Sequence, residues 1–155
     1  MDTALLSGLK AGLHQRCLEL LASKIVELTR MQTELLEGAL DDSKSSAGDK
    51  HETARAMMQL EQEKFAGQLQ DLLDQQQQLI RFDPSLSDGV IRPGSLVQTD
   101  RMLFYLTVGL GKLRLETTEC MVLSPSSPLG KRMNGLSAGD RCEVNGQVYH
   151  ILAVV

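Results

Sequence analysis

The sequence predicts an α+β chain, an antiparallel two-helix coiled-coil hairpin followed by a small β-rich domain with one short helix. Three observations carry this. Apolar residues recur at alternating spacings of three and four over two long segments that hold no proline. A stretch rich in Ser, Asp and Gly separates those segments. After Asp83-Pro84 the pattern changes to short apolar runs bounded by Gly, Asp and Pro.

The first seam is Leu18, Leu21, Ile25, Leu28, Gln32, Leu35 and Ala39. It decays at Gly38, and Asp41 to Gly48 reads as a turn. A second helix begins near Asp49, with Met58, Gln62, Phe65, Leu69, Leu72, Gln76 and Leu79 as its seam. So short a connection makes the helices antiparallel neighbours. Residues 49–81 as one helix would run about 50 Å, at about 1.5 Å per residue. Each helix of such a pair buries one stripe against one partner, so the hairpin needs a second domain at its base. The expected division is a hairpin at 1–82, with an acidic tip at about 41–53, and a C-terminal domain at 83–155.

In that second domain, residues 95–97, 103–108, 112–115 and 119–123 read as strands. Ser127-Pro128 is a helix start, with a capping hydroxyl and proline at the first helical position. Leu129 to Met133 then form a short helix that Gly135 ends. Arg141 to Val144 and Gln147 to Val155 flank Asn145-Gly146, the pair preferred in a type I′ hairpin turn.

Composition narrows the function classes. Net charge is −4 and aromatic residues are 3% of the chain, with no Trp, which argues against a base-stacking or generally basic nucleic-acid surface. Cys17, Cys120 and Cys142 are far apart and show no zinc spacing, so they are expected to be buried apolar residues in a reducing, cytoplasmic setting. No run approaches the ~20 apolar residues of a membrane span. The N-terminus has no charged segment followed by a long apolar run, so no secretory leader and no membrane partner are expected. Gly109-Leu110-Gly111-Lys112 is too short for a phosphate-binding loop and lacks the hydroxyl residue after Lys. His14 and His150 are expected to be structural, and His51 has no second ligand at metal spacing.

Asp49 and Glu52 lie where the chain reverses. Their i, i+3 spacing fits an N-terminal capping box, with Asp49 at the cap, and the helix dipole favours acids there. A pair of acids at the tip of a long helical hairpin also suggests groups carried into a partner's site.

The tip, Gly48-Asp49-Lys50-His51-Glu52-Thr53-Ala54-Arg55-Ala56, resembles the Gly-Asp-x-x-Glu-Asn-x-Glu-Tyr pattern of the Gre family of bacterial transcript-cleavage factors. Ser127-Pro128-Leu129-Gly130, followed by Gly135 and Gly139-Asp140, resembles that family's C-terminal pattern, and Tyr149-His150-Ile151 its closing strand. The matches occur in the family's order over nearly the whole chain.

The resemblance implies an FK506-binding-protein-like C-terminal domain and a monomer that is not itself an enzyme. It implies a hairpin that enters the secondary channel of bacterial RNA polymerase. There Asp49 and Glu52 would help hold the polymerase's second Mg²⁺ while backtracked RNA is hydrolysed. Ser127, Pro128 and Leu129 would dock on the channel rim. Lys44, Lys50 and Arg55 flank the tip, where they could meet phosphates at the nascent RNA 3′ end. No cofactor of the chain's own is implied. Thr53, Arg55 and Ala56 depart from the family's Asn, Glu and Tyr, which leaves open a channel-binding regulator that does not stimulate cleavage. A prolyl isomerase and a generic coiled-coil dimeriser are the rival classes.

Overall fold

The computed structural model describes residues 2–42 and 49–155, with side chains described over 2–38 and 52–155. Of the expected turn at 41–48, residues 43–48, Lys44 and Gly48 among them, lie outside the described residues. Two long helices, α1 (Thr3–Asp42) and α2 (Asp49–Ile80), form the hairpin. Six strands and one short helix follow: β1 (Leu96–Thr99), β2 (Leu103–Leu106), β3 (Gly111–Leu115), β4 (Thr118–Leu123), α3 (Pro128–Met133), β5 (Arg141–Val144) and β6 (Gln147–Val154). The strand and short-helix expectations hold to within a few residues. Helix α1 reaches Asp42, two residues into the stretch expected to turn, a difference within the usual latitude of a helix end.

The chain forms two compact units. One is Leu20–Gln76; the other joins the N-terminal segment up to Glu19 with Gln77–Val155.

In the first unit, burial follows the seam. Between Leu21 and Gly38 only Leu21, Ile25, Leu28, Gln32 and Leu35 are withdrawn from solvent. In α2 the withdrawn residues are Met58, Gln62, Phe65, Leu69, Leu72 and Gln76, with Leu73 and Gln75 beside them. Most are only half-buried, as one layer of two helices dictates. Among the described residues of this unit only Leu21 and Leu28 are buried. On the wet face Arg30 bridges Glu27 and Glu34, spanning one turn in each direction.

In the second unit the strands form one sheet, in the order β3-β4-β2-β1-β6-β5. Every pair is antiparallel except β2 with β4, which β3 separates in the chain. Ile91, Val97, Phe104, Leu106, Leu123, Met133, Cys142 and Ile151 form the core. The β5–β6 turn has Asn145 at φ 54° and Gly146 at φ 79°, the two left-handed positions of a type I′ turn. At the β1–β2 turn the Thr99 hydroxyl accepts from the amides of Arg101 and Met102.

The start of α1 belongs to this unit. Its buried stripe is Leu6, Lys10, Leu13, His14 and Cys17. A Cβ on Gly12 would sit 2.8 Å from Leu115 Cδ2, so the missing side chain lets α1 approach β3 closely.

Candidate functional site

Asp49 and Glu52 fall in the first turn of α2. Glu52 is exposed, and so is Arg55 one turn on. The side chains of Asp49 and Lys50 lie outside the described residues. Among the described residues no three His, Cys, Asp or Glu side chains come together as a metal site. Two carboxylates on one helical turn match what Mg²⁺ accepts when waters and phosphate supply its other ligands. They do not make a self-sufficient metal site.

The second candidate region is α3 and its flanks, where the local structure explains each motif residue. The Ser127 hydroxyl caps the helix by accepting from the Gly130 amide at 3.1 Å, and itself donates to the Ser124 carbonyl at 2.6 Å. Pro128 occupies the first turn, where its absent N–H is not missed. A Cβ on Gly130 would lie 2.5 Å from the Ser124 carbonyl oxygen and 2.9 Å from that of Pro125. Glycine therefore lets α3 lie directly on the preceding turn. Gly135 has φ 85°, and its amide donates to Ile91 O at 2.8 Å. Gly139 has φ 96° and donates to Ile151 O, while Asp140 Oδ2 accepts from the Ser137 amide at 2.9 Å.

The motif thus builds the loop architecture around α3. Gly130 and Met133 are buried, Met133 within the core, and Leu129 is half-buried against it. Pro128, Lys131 and Arg132 are left on the solvent face. Of the three residues expected to dock, Pro128 is exposed, while Ser127 and Leu129 are half-buried.

Sequence reasoning missed a polar cluster inside the second unit. Lys10 is 1% exposed and donates from Nζ to the Leu86 carbonyl at 2.8 Å. Burial lowers its pKa, with the Asp83 charge acting in the opposite sense. One turn on, His14 Nδ1 lies 2.7 Å from the hydroxyl of Tyr105, which is fully buried. Burial lowers the His14 pKa as well, helped by the Lys10 charge and opposed by Asp83. The available signal was the stripe Leu6, Lys10, Leu13, Cys17, a basic residue at an otherwise apolar helical spacing. The expectation of a structural role for His14 holds.

The three cysteines are buried, as expected. Burial pushes the Cys17 thiol up to about 11 and that of Cys120 to about 12. Phe104 and Tyr105 are core residues, with no face open to a peptide proline. No helix is long and apolar enough to cross a membrane among the described residues.

No family model matches the chain, and no curated protein matches it. Among solved structures it is similar to the transcription factor Gfh1, at 18% identity over 88% of this chain and 92% of that one, with a TM-score of 0.37. It is also similar to the GreA factor homolog 1 (Gfh1) protein of Thermus thermophilus, at 22% identity over 92% of each chain, with a TM-score of 0.35. Likeness at this level leaves the function to be argued from the chain's own residues.

Proposed function

We propose that this chain is a Gre-like transcription elongation factor that binds bacterial RNA polymerase and stimulates cleavage of backtracked RNA. One observation carries the reading: an Asp-x-x-Glu pair opens the second helix of a hairpin whose chain continues into a β domain built around a Ser-Pro…Gly-Asp motif. The order and spacing are those of the family pattern.

In this reading Asp49 and Glu52 are the working groups. Both stand in the first turn of α2, the end of a helix where the dipole attracts negative charge. Standing three residues apart, they share a face and can approach one cation together. The polymerase's second Mg²⁺, which these acids would help hold, would complete a two-metal site of the kind that activates water and stabilises the leaving oxygen. The chain's part is to deliver negative charge and oxygen donors to that ion. Lys50 and Arg55 flank the acids and can hold RNA phosphates. The segment Ser127–Leu129 seats the β domain on the polymerase. The chain needs no nucleophile or base of its own, and it acts in the cytoplasm as a monomer.

A second reading is favoured by one observation. Thr53, Arg55 and Ala56 stand where the family pattern has Asn, Glu and Tyr. If those positions orient the RNA, the chain binds the channel and blocks it without promoting cleavage.

The test is release of short 3′ RNA fragments from a backtracked elongation complex at limiting Mg²⁺. Acceleration that is lost in Asp49→Asn/Glu52→Gln, with polymerase binding retained, supports the cleavage factor. Binding without acceleration, and competition with a known cleavage factor, supports the regulator. Absence of polymerase binding defeats both.

A further inference from the structure

A recess of about 390 Å³ opens between α3 and β5, lined by Arg132, Leu136, Arg141, Cys142, Glu143 and Val148. Its apolar lining is Leu136, Cys142 and Val148. Arg132 comes from the last turn of α3 and Arg141 from the first position of β5. Burial raises the Cys142 pKa, and the Arg132 charge acts in the opposite sense.

Among the described residues neither arginine has an ion-pair partner. The ion pairs among the described residues are Arg16–Glu19, Arg30 with Glu27 and Glu34, and Arg92–Asp88. Glu143 lines the same recess but lies beyond ion-pair distance of both arginines. Two arginines and one glutamate leave the recess at a formal charge of +1 (2 − 1) on a chain of net charge −4. Lys131 is exposed beside Arg132 and extends the same sign of potential.

Pro128 and Arg132 are four residues apart on α3 and share its solvent face. The recess is therefore bordered by the same short helix that carries the segment docking in the function proposed above. We infer that the Arg132/Arg141 recess receives a carboxylate side chain from an acidic surface of the docking partner, an inference that rests on that function. A glutamate would lay its methylenes on Leu136 and Val148 and reach both guanidinium forks. Arginine matches a carboxylate in a bidentate way that lysine cannot.

A bland alternative is that Lys131 and Arg132 only complement the C-terminal end of α3. That role would alter stability and leave binding untouched.

The experiment measures the affinity of the full chain for core RNA polymerase at low and at physiological salt. The variants are Arg132→Glu/Arg141→Glu, Arg132→Lys/Arg141→Lys and, as a control, Arg114→Glu on β3 at the opposite edge of the sheet. Circular dichroism confirms that each is folded. The inference expects binding to weaken about tenfold or more in the Glu variant, with a flatter salt dependence. It expects partial loss in the Lys variant and none in Arg114→Glu. Wild-type binding with no change in the Glu variant overturns the inference and leaves the proposed function standing. Wild-type binding lost altogether removes the proposed function and the inference with it. If the Glu variant instead loses affinity for naked single-stranded RNA and keeps it for polymerase, the recess is a phosphate site and the carboxylate assignment is overturned.

Discussion

Two glycines in helices give opposite answers to the same substitution. At Gly130 an added methyl would meet the Ser124 carbonyl oxygen at 2.5 Å, the Pro125 carbonyl oxygen at 2.9 Å and Pro125 Cα at 3.0 Å. All three are backbone atoms and cannot rotate away. Overpacking of this kind costs about 1–3 kcal/mol. Moving α3 to relieve it also stretches the Ser127 cap, worth about 1 kcal/mol. Alanine returns about 1 kcal/mol of helix propensity. The balance for Gly130→Ala is a loss of about 1–3 kcal/mol. At Gly67, in α2, a Cβ would meet nothing within 4 Å and the residue is exposed. There only the propensity term survives, so Gly67→Ala stabilises by up to about 1 kcal/mol. The two sites can be read separately. Tyr105 and Tyr149 are the only tyrosines, there is no Trp, and both lie in the unit that contains the sheet. Urea unfolding followed by tyrosine fluorescence reports that unit, and helical circular dichroism is dominated by the hairpin. A Gly130→Ala chain as stable as wild type by tyrosine fluorescence would refute the close approach of α3 to the 124–125 turn.

Other outcomes follow from the same structure. Burial holds the His14 pKa below its unfolded value of about 6.5, so the unfolded chain protonates first and stability falls as pH drops through about 6.5. The loss levels off once folded His14 is protonated too; urea titrations at pH 8 and pH 5.5 would show the difference, and its absence in His14→Gln would assign it. Tyr105→Phe leaves a buried ring nitrogen of His14 without its partner and should cost about 1–3 kcal/mol in the same assay. With Cys17 at about 11 and Cys120 at about 12, a disulfide reagent at pH 8 should label these thiols slowly until urea is added, and fast labelling of the native chain would contradict their burial. Leu28→Ala should destabilise the hairpin by about 2 kcal/mol or more, whereas Val26→Ala, 69% exposed, should stay within about 0.5 kcal/mol on thermal melting.

What the sequence made legible was whatever a local rule controls. The seam residues Leu21 to Leu35 and Met58 to Gln76 are withdrawn from solvent, with Leu73 and Gln75 beside them, because a helix with one neighbour has only a periodicity to obey. Asn145-Gly146 and Ser127-Pro128 were legible because each dictates its own backbone angles or its own cap. What stayed hidden depends on partners distant in the chain. Parallel pairing of β2 with β4 is decided by the whole sheet, and nothing in Leu103–Leu106 announces it. Lys10 reads as a surface residue until Leu86 O, 76 positions away, is found beside its amine. The start of α1 follows the same logic. Its stripe of Leu6, Leu13 and Cys17 continues a helical period, but packing in the unit that contains the sheet decides what it faces.

The proposed function divides along that line too. Asp49 and Glu52 were legible as a pair because one turn of helix fixes their spacing. The Arg132/Arg141 recess was not, because nine positions separate two residues that only the packing of α3 on β5 brings to one opening. If both regions serve one partner, the acids supply the chemistry and the arginines the seating. Neutralising the acids should then abolish cleavage at unchanged affinity, and reversing the arginines should weaken affinity while cleavage survives at saturating protein. The opposite pattern would mean that the two regions have exchanged the roles assigned to them.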